Sequence, residues 1–484
     1  MPRPPSNRRL SSSPLREAAA ALSVAESAGS WLEAAAEFDA LTGMDAWRED
    51  DESPHYDAAL LRSECQHLAG LREAGQGVAL GRALEESLNR HLADITAPEL
   101  HGWALTGTKR LVTAYLDEVE ACLRWLAATP LAAIPDAEKR RRFEQSAKVY
   151  GRSALMLSGG ATWGFYHLGV VKALFQEGLL PNILSGASTG AMIAAGVCAR
   201  TDAELADMFA HPDQIRRDGL LPVGPRQALK QRAALDPDQL MAVLRHNVGE
   251  WTFAEAHARS GRTLNISVSP TRTRQKPRVL SHVTAPDVLV ARAALASSAL
   301  PGLFPPVVLE AKDAAGRIGP YVPSERWVDG SIYEDLPKLR LARLHNVNHF
   351  IVSQANPHVV PFVAHHGQRG LLPALAGITS ATVRTQGAYA IDLASRATRP
   401  GRGPLSQLAD RAQALVRQDY RGDIDIHPRF RLDLLRKVVV NPTLEDLHEF
   451  IQEGERATWP KLAMVRDHTR LGRVFRECVG SLQG

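Results

Sequence analysis

The chain has 484 residues, 45% of them hydrophobic, with 57 Lys and Arg against 53 Asp and Glu for a formal net charge of +4. That length gives ample core-forming residues and room for roughly three average domains, and the near-balanced charge excludes a bulk nucleic-acid-binding signal. Four cysteines (Cys65, Cys122, Cys198 and Cys478) lie far apart and form no C-x-x-C, which argues against a zinc site and a dense disulfide framework and leaves reduced, buried thiols as the expectation.

Residues 1–13 are rich in Pro, Ser and Arg with no apolar run behind them. A disordered start without a secretory signal is expected. No stretch is long and apolar enough to span a bilayer, so contact with a membrane would be peripheral. From 14 to about 145 the pattern is helical: Leu116, Val119, Leu123 and Leu126 share one helical face, and alanine is abundant. Ala127–Pro135, with two prolines, reads as a linker. Lys139–Arg142 is a local basic cluster, and Arg272, Arg274, Lys276 and Arg278 form a second. Such clusters serve as solvated surface or as contacts to anionic lipid head groups.

From Ser153 the character changes to α/β. Strands are predicted at Ala154–Leu157, Asn182–Leu184, Thr263–Val268 and His349–Ser353, and helices at Tyr166–Gln176, Met192–Arg200 and Ala291–Ala299. The alternation implies a layered, mostly parallel sheet. Asp202–Glu250 reads as a polar helical insertion and a candidate lid, and helices return after Val359, interrupted by a Gly/Pro/Arg loop at Arg399–Pro404.

Three motifs carry chemistry. Gly186-Ala187-Ser188-Thr189-Gly190 is a G-x-S-x-G nucleophile elbow, in which the two glycines let strand and helix pass closely beneath an exposed serine. About thirty residues upstream, one strand–helix–strand unit away, Ser158-Gly159-Gly160-Ala161-Thr162-Trp163-Gly164 offers consecutive backbone N–H groups opening a helix, which suits an anion. Finally, Trp327-Val328-Asp329-Gly330 presents a carboxylate at a strand end.

These residues, together with Ala296-Ser297-Ser298-Ala299-Leu300-Pro301, resemble the patatin-like phospholipase family. The resemblance extends outward. Trp31-Leu32, Asp39, Trp47-Arg48 and Thr106-Gly107-Thr108-Lys109 are similar to the helical N-terminal domain of unknown function in the triacylglycerol-lipase subgroup. Asn356-Pro357-His358, Gln418-Asp419-Tyr420, Asn441-Pro442-Thr443 and Gly454–Pro460 are similar to that subgroup's C-terminal part. The resemblance implies a patatin-like α/β/α domain over 150–358, a helical N-terminal domain over 14–145 and a helical C-terminal extension over 359–484. One departure stands out: Ala161 and Trp163 occupy positions where many members have a third glycine and a basic residue.

By this resemblance Ser188 attacks an ester carbonyl, and Asp329 takes its proton as a Ser–Asp dyad. The N–H groups of Gly159, Gly160 and Ala161 hold the oxyanion, each worth about 3 kcal/mol. Gly186 and Gly190 shape the elbow, and Gly330 shapes the turn after the proton acceptor. A glycerolipid substrate at a membrane or lipid-droplet surface is implied. The Arg and Ala content without a targeting signal fits a cytoplasmic setting, no metal-ligand cluster is evident and no cofactor is expected; oligomeric state is not legible. Three alternatives stay open. A Ser–His–Asp hydrolase would use His349 or His358. An acyltransferase would use the same acyl-enzyme, with His282 and Asp287 at H-x-x-x-x-D spacing. A lipid-binding scaffold would not turn over at all. His167, just after the oxyanion turn, is expected to be a hydrogen-bonded structural residue.

Overall fold

A computed structural model describes residues 13–89, 95–272, 275–331, 335–356, 420–429 and 438–482. The expectations for residues 1–12, Arg274, His358, the Arg399–Pro404 loop and Gln418-Asp419 fall outside the described residues. Seven helices come first: α1 (Ser13–Val24), α2 (Ala28–Thr42), α3 (Met44–Glu49), α4 (Ala58–Glu73), α5 (Gly77–Asn89), α6 (Arg110–Ala128) and α7 (Asp136–Tyr150). Their signals are local. Ser27 and Ser30 form a reciprocal capping box at the start of α2, and Asp57 caps α4 through the Leu60 N–H. On α6, Leu116, Val119, Leu123 and Leu126 are all buried, as their spacing predicts. The Ala127–Pro135 stretch proves to be the end of α6 and its turn into α7, inside the helical region. Helix α7 runs on to Tyr150, and the main sheet starts at Arg152.

Among the described residues the sheet has seven strands: β1 (Arg152–Leu157), β2 (Ile183–Gly186), β3 (Thr263–Pro270), β4 (Arg278–Leu280), β7 (Trp327–Asp329), β8 (Val347–Ser353) and β9 (Ile424–Ile426). Its order is β4-β3-β2-β1-β8-β9, with β4 and β7 pairing successive parts of β3. The pairs β1–β2, β1–β8, β2–β3 and β8–β9 are parallel; those of β3 with β4 and β7 are antiparallel. Every residue of β3 is buried, as a strand covered on both faces requires. A separate ribbon joins β5 (Glu310–Lys312) to β6 (Ile318–Pro320).

Helices α8 (Tyr166–Gln176), α9 (Thr189–Cys198), α10 (Asp202–Ala210), α11 (Pro225–Gln231), α12 (Pro237–Val248), α13 (Phe253–Ser260), α14 (Val290–Ser297) and α15 (Lys338–His345) surround the sheet. The expectation of a polar insertion over Asp202–Glu250 needs correction. On α12, Leu240, Met241, Val243, Leu244 and Val248 are buried, and the helix packs on α14 and α9. Its apolar stripe is masked in sequence by the charged residues of the opposite face.

The last two helices, α16 (Leu444–Thr458) and α17 (Leu462–Ser481), do different jobs. Helix α16 meets α8 backbone to backbone. A Cβ on Gly169 would lie 1.8 Å from the Ile451 carbonyl oxygen, and one on Gly454 would lie 2.3 Å from that of Tyr166. By contrast, α17 completes the N-terminal core with Leu471, Val474, Phe475 and Cys478. Among the described residues no helix is long and apolar enough to cross a membrane.

Candidate active site

Parallel strands β1 and β2 end side by side, and an open α/β sheet offers its crevice at such carboxyl ends. Ser188 sits on the turn from β2 into α9 with φ 52° and ψ −126°. That left-handed backbone is strained for a residue with a side chain. The elbow glycines are sterically required: a Cβ on Gly186 would stand 2.4 Å from the Gly190 carbonyl oxygen, and one on Gly190 would stand 2.2 Å from that of Leu157. The Ser188 N–H donates to Ser297 Oγ at 3.0 Å, and the Ser297 hydroxyl donates to the Ser267 carbonyl at 2.7 Å. Buried Ser297 therefore fixes the elbow to β3, a role that its Ala-Ser-Ser-Ala surroundings did not signal.

Asp329 closes β7 opposite Val268 and is buried. Its N–H donates to the Ala299 carbonyl at 3.1 Å. Its Oδ1 accepts from the Ser331 N–H and hydroxyl, both at 2.8 Å. Burial raises the carboxyl pKa to about 6, against the hydrogen bonds from Ser331 and from the Ser188 side chain, which pull it down. The chain must turn sharply after Asp329: a Cβ on Gly330 would meet the Ser267 carbonyl oxygen at 2.2 Å. Serine and acid are thus braced against the same short piece of β3.

The glycine turn differs from expectation in one donor. The Gly159 N–H is already engaged, donating to Asp335 Oδ1 at 2.9 Å. It is not available to an oxyanion in this conformation. The N–H groups of Gly160 and Ala161 have no hydrogen-bond partner among the described residues. A Cβ on Gly160 would lie 3.0 Å from the Ala355 carbonyl oxygen, while Ala161 adopts φ 48°, a backbone that glycine takes without cost. The turn is further tied down where Thr189 Oγ1 donates to the Ala161 carbonyl at 2.8 Å. Trp163 is buried against Phe450, so its indole packs in a small apolar cluster and presents no charge to the turn.

Asp335 was not recognised in the sequence. Asp335-Leu336-Pro337 carries no local pattern that sets it apart. It is buried, and its Oδ2 accepts from Asn356 Nδ2 at 2.6 Å. Burial pushes its pKa up to about 7; the Asp329 charge adds to this, and the bonds from Gly159 and Asn356 oppose it.

The histidines sort clearly. His167 Nδ1 pairs with Ser353 Oγ at 2.7 Å and Nε2 with the Ser158 carbonyl at 3.0 Å, and burial lowers its pKa to about 4. Both nitrogens are occupied, so it is structural. His349 pairs with Ser153 and His468 at the start of β8, the end of the sheet away from Asp329. It cannot complete a triad with Ser188. His282 stacks on His257 at 3.9 Å, and neither it nor Asp287 borders the Ser188 cavity. Among the described residues no group of three His, Cys, Asp or Glu side chains is arranged to hold a metal ion.

Ser188 opens onto a largely apolar cavity of about 100 Å³, walled by Met192, Leu220, Leu240, Leu303 and Phe304. Arg217 and Asn441 also line it. Leu220 and Asn441 bond reciprocally: the Leu220 N–H donates to Asn441 Oδ1 at 2.8 Å, and Asn441 Nδ2 donates to the Leu220 carbonyl at 3.0 Å. Of the expected lid, Arg217, Gly219 and Leu220 reach the site, together with Leu240 and Val243 of α12. The basic clusters lie elsewhere and are partly paired. Lys139 meets Asp136, Arg140 meets Glu144, Arg141 and Arg142 meet Glu138, and Arg272 faces Glu325.

Comparison with known proteins gives two domain matches: a patatin-like phospholipase domain over residues 155–340 and a domain of unknown function, DUF3336, over residues 10–148. Triacylglycerol lipase ptl3 of Schizosaccharomyces pombe is 33% identical over 462 residues, covering 92% of this chain and 93% of that protein. Triacylglycerol lipase SDP1L of Arabidopsis thaliana is 33% identical over 451 residues, covering 89% of this chain and 55% of the other. Patatin-like phospholipase domain-containing protein CNBE2340 of Cryptococcus neoformans is 33% identical over 480 residues, covering 92% and 52%. The chain thus spans nearly all of the first relative and about half of the other two.

Proposed function

This chain belongs to the patatin-like phospholipase family, and we propose that it is a serine lipid acyl hydrolase working through Ser188 and Asp329 alone. The observation that carries this reading is the buried Asp329 carboxyl, its pKa raised to about 6, facing the hydroxyl of a serine held in a strained elbow. A base near the working pH is ionised yet still basic enough to take a proton.

In this mechanism Ser188 Oγ bonds to the ester carbonyl carbon as its proton passes to Asp329. The carbonyl oxygen becomes an oxyanion, received by the free N–H groups of Gly160 and Ala161. The ester C–O bond then breaks, Asp329 returns the proton to the departing alkoxide, and an acyl-enzyme remains. Water attacks it with Asp329 again as base, releasing the fatty acid and Ser188. Gly159 contributes by anchoring the turn to Asp335.

The names of the relatives support a glycerolipid ester as substrate, and the apolar cavity supports an acyl chain beside Ser188. Leu221, Leu300, Val439 and Val440 are exposed on the segments that line this cavity or adjoin its lining, which supports action at a lipid surface. Labelling by a fluorophosphonate tests the reading. Wild type should label, Ser188→Ala should not, and Asp329→Asn should label slowly. A well-folded wild type that stays unlabelled in the presence of lipid would overturn it.

A further inference from the structure

A second cavity, of about 200 Å³, lies at the other end of the sheet, against the first residues of β1 and β8. Along β1 this is roughly 20 Å from the Ser188 turn, six residues at about 3.3 Å each. Its walls come from three parts of the chain. Tyr150 closes the N-terminal helices, Arg152 opens β1, and Thr469, Gly472, Arg473 and Arg476 share one face of α17.

Three guanidinium groups converge here. Among the described residues neither Arg152 nor Arg476 has a side-chain hydrogen bond or an ion pair, and Arg473 bonds only to Thr469 Oγ1, at 2.6 Å. The nearby carboxylates are committed elsewhere. Asp423 Oδ2, on the cavity wall, accepts from the Phe350 N–H at 2.6 Å, and Glu477 pairs with Arg124 at 2.6 Å. Burial lowers all three arginine pKa values, with Arg152 adding to the effect on Arg476 and Arg476 on Arg473.

A second observation comes from the cavity's histidine. His468 is buried, and its Nε2 has no hydrogen-bond partner. Its Nδ1 meets His349 Nε2 at 3.2 Å, and His349 Nδ1 meets Ser153 Oγ at 3.0 Å. Two sets of tautomers fit these contacts: donation from the Ser153 hydroxyl through His349 to His468 leaves an N–H on the orphaned nitrogen, and donation in the reverse direction leaves a lone pair there. In the first set the buried donor has no acceptor, at a cost of about 1–3 kcal/mol.

The geometry points to a phosphate-binding site in this cavity, separate from the Ser188 site and taking a phosphate monoester group, free or as a lipid head group. Guanidinium forks match phosphate oxygens. Three of them against Asp423, the carboxylate on the cavity wall, suit a dianion. Because the walls belong to the N-terminal helices, the sheet and the last helix, occupancy holds these three parts together and raises stability by mass action.

The test is thermal unfolding of the full chain at constant ionic strength with inorganic phosphate, with glycerol 3-phosphate, and with phosphatidate against phosphatidylcholine vesicles. Wild type and Ser188→Ala should show the same saturable rise in Tm. Arg473→Ala should need at least tenfold more phosphate. Gly472→Leu, whose first added atom would meet only Tyr150 at 3.9 Å, should fill the cavity and abolish the response. A response to phosphate or glycerol 3-phosphate that Arg473 controls identifies a soluble ligand, and one to phosphatidate vesicles alone identifies a lipid head group. No response to any probe, an unchanged response in both cavity variants, or loss of the response in Ser188→Ala would overturn the proposal.

Discussion

The Gly159 N–H donates to Asp335 Oδ1 at 2.9 Å, so one buried carboxylate holds the turn whose next two N–H groups have no partner among the described residues. Asp335 is a positioning residue, and it also lies close enough to Asp329 for the two charges to oppose each other. Asp335→Ala should lower kcat/KM on a soluble short-chain ester by about ten- to a hundredfold, somewhat less than direct loss of an oxyanion donor. Asp335→Asn, which keeps an acceptor for Gly159, should lose less. In both variants the acidic limb of the pH profile should stay near about 6, because Asp335, with its pKa pushed up to about 7, is still neutral while Asp329 ionises. An unchanged rate would mean that other contacts hold the turn.

Activity should rise as pH climbs through about 6, where Asp329 ionises. Stability should run the other way. The folded site favours the protonated acid, while the unfolded chain ionises near 3.8. The contribution of Asp329 is therefore fully present below about 3.8 and lost as pH rises through about 6, on the order of 3 kcal/mol at most. The Tm of Asp329→Asn relative to wild type should increase from pH 5 to pH 8. A constant difference would contradict the raised pKa.

Ser188 holds a φ of 52° that a Cβ disfavours. Ser188→Gly should be inactive yet more stable than Ser188→Ala by about 1 kcal/mol. Denaturant midpoints of the two variants decide this. Equal midpoints would place the elbow strain elsewhere.

The cavity beside Ser188, at about 100 Å³, is small beside the ~300–1,000 Å³ of ordinary ligand pockets. The reciprocal Leu220–Asn441 bonds join the two segments that cover it. Asn441→Ala should speed labelling by a long-chain fluorophosphonate roughly three- to tenfold, the worth of one or two hydrogen bonds. A short-chain probe should be nearly unaffected. Equal acceleration of both probes would mean that the bonds do not gate the acyl chain.

Much of the fold was written locally. Helix α8 begins and ends at the residues its pattern indicated, and β1 and β8 extend their predicted cores by only two residues each. The elbow and the Asp-Gly turn could be read because each rests on a close backbone approach that only glycine permits, and a glycine at a fixed spacing is visible in a string of letters.

What the sequence determined alone was the chemistry of single turns: a serine on an elbow, an acid at a strand end, a run of amides. The tertiary structure decided which amides are free, because the Gly159 N–H is engaged by an acid 176 residues away in the chain. It decided that His349 lies at the wrong end of the sheet, that α12 is core rather than lid, and that α17 closes the N-terminal helices. Each of these depends on residues distant in the chain meeting in space, and burial and hydrogen-bond competition arise only once they have met.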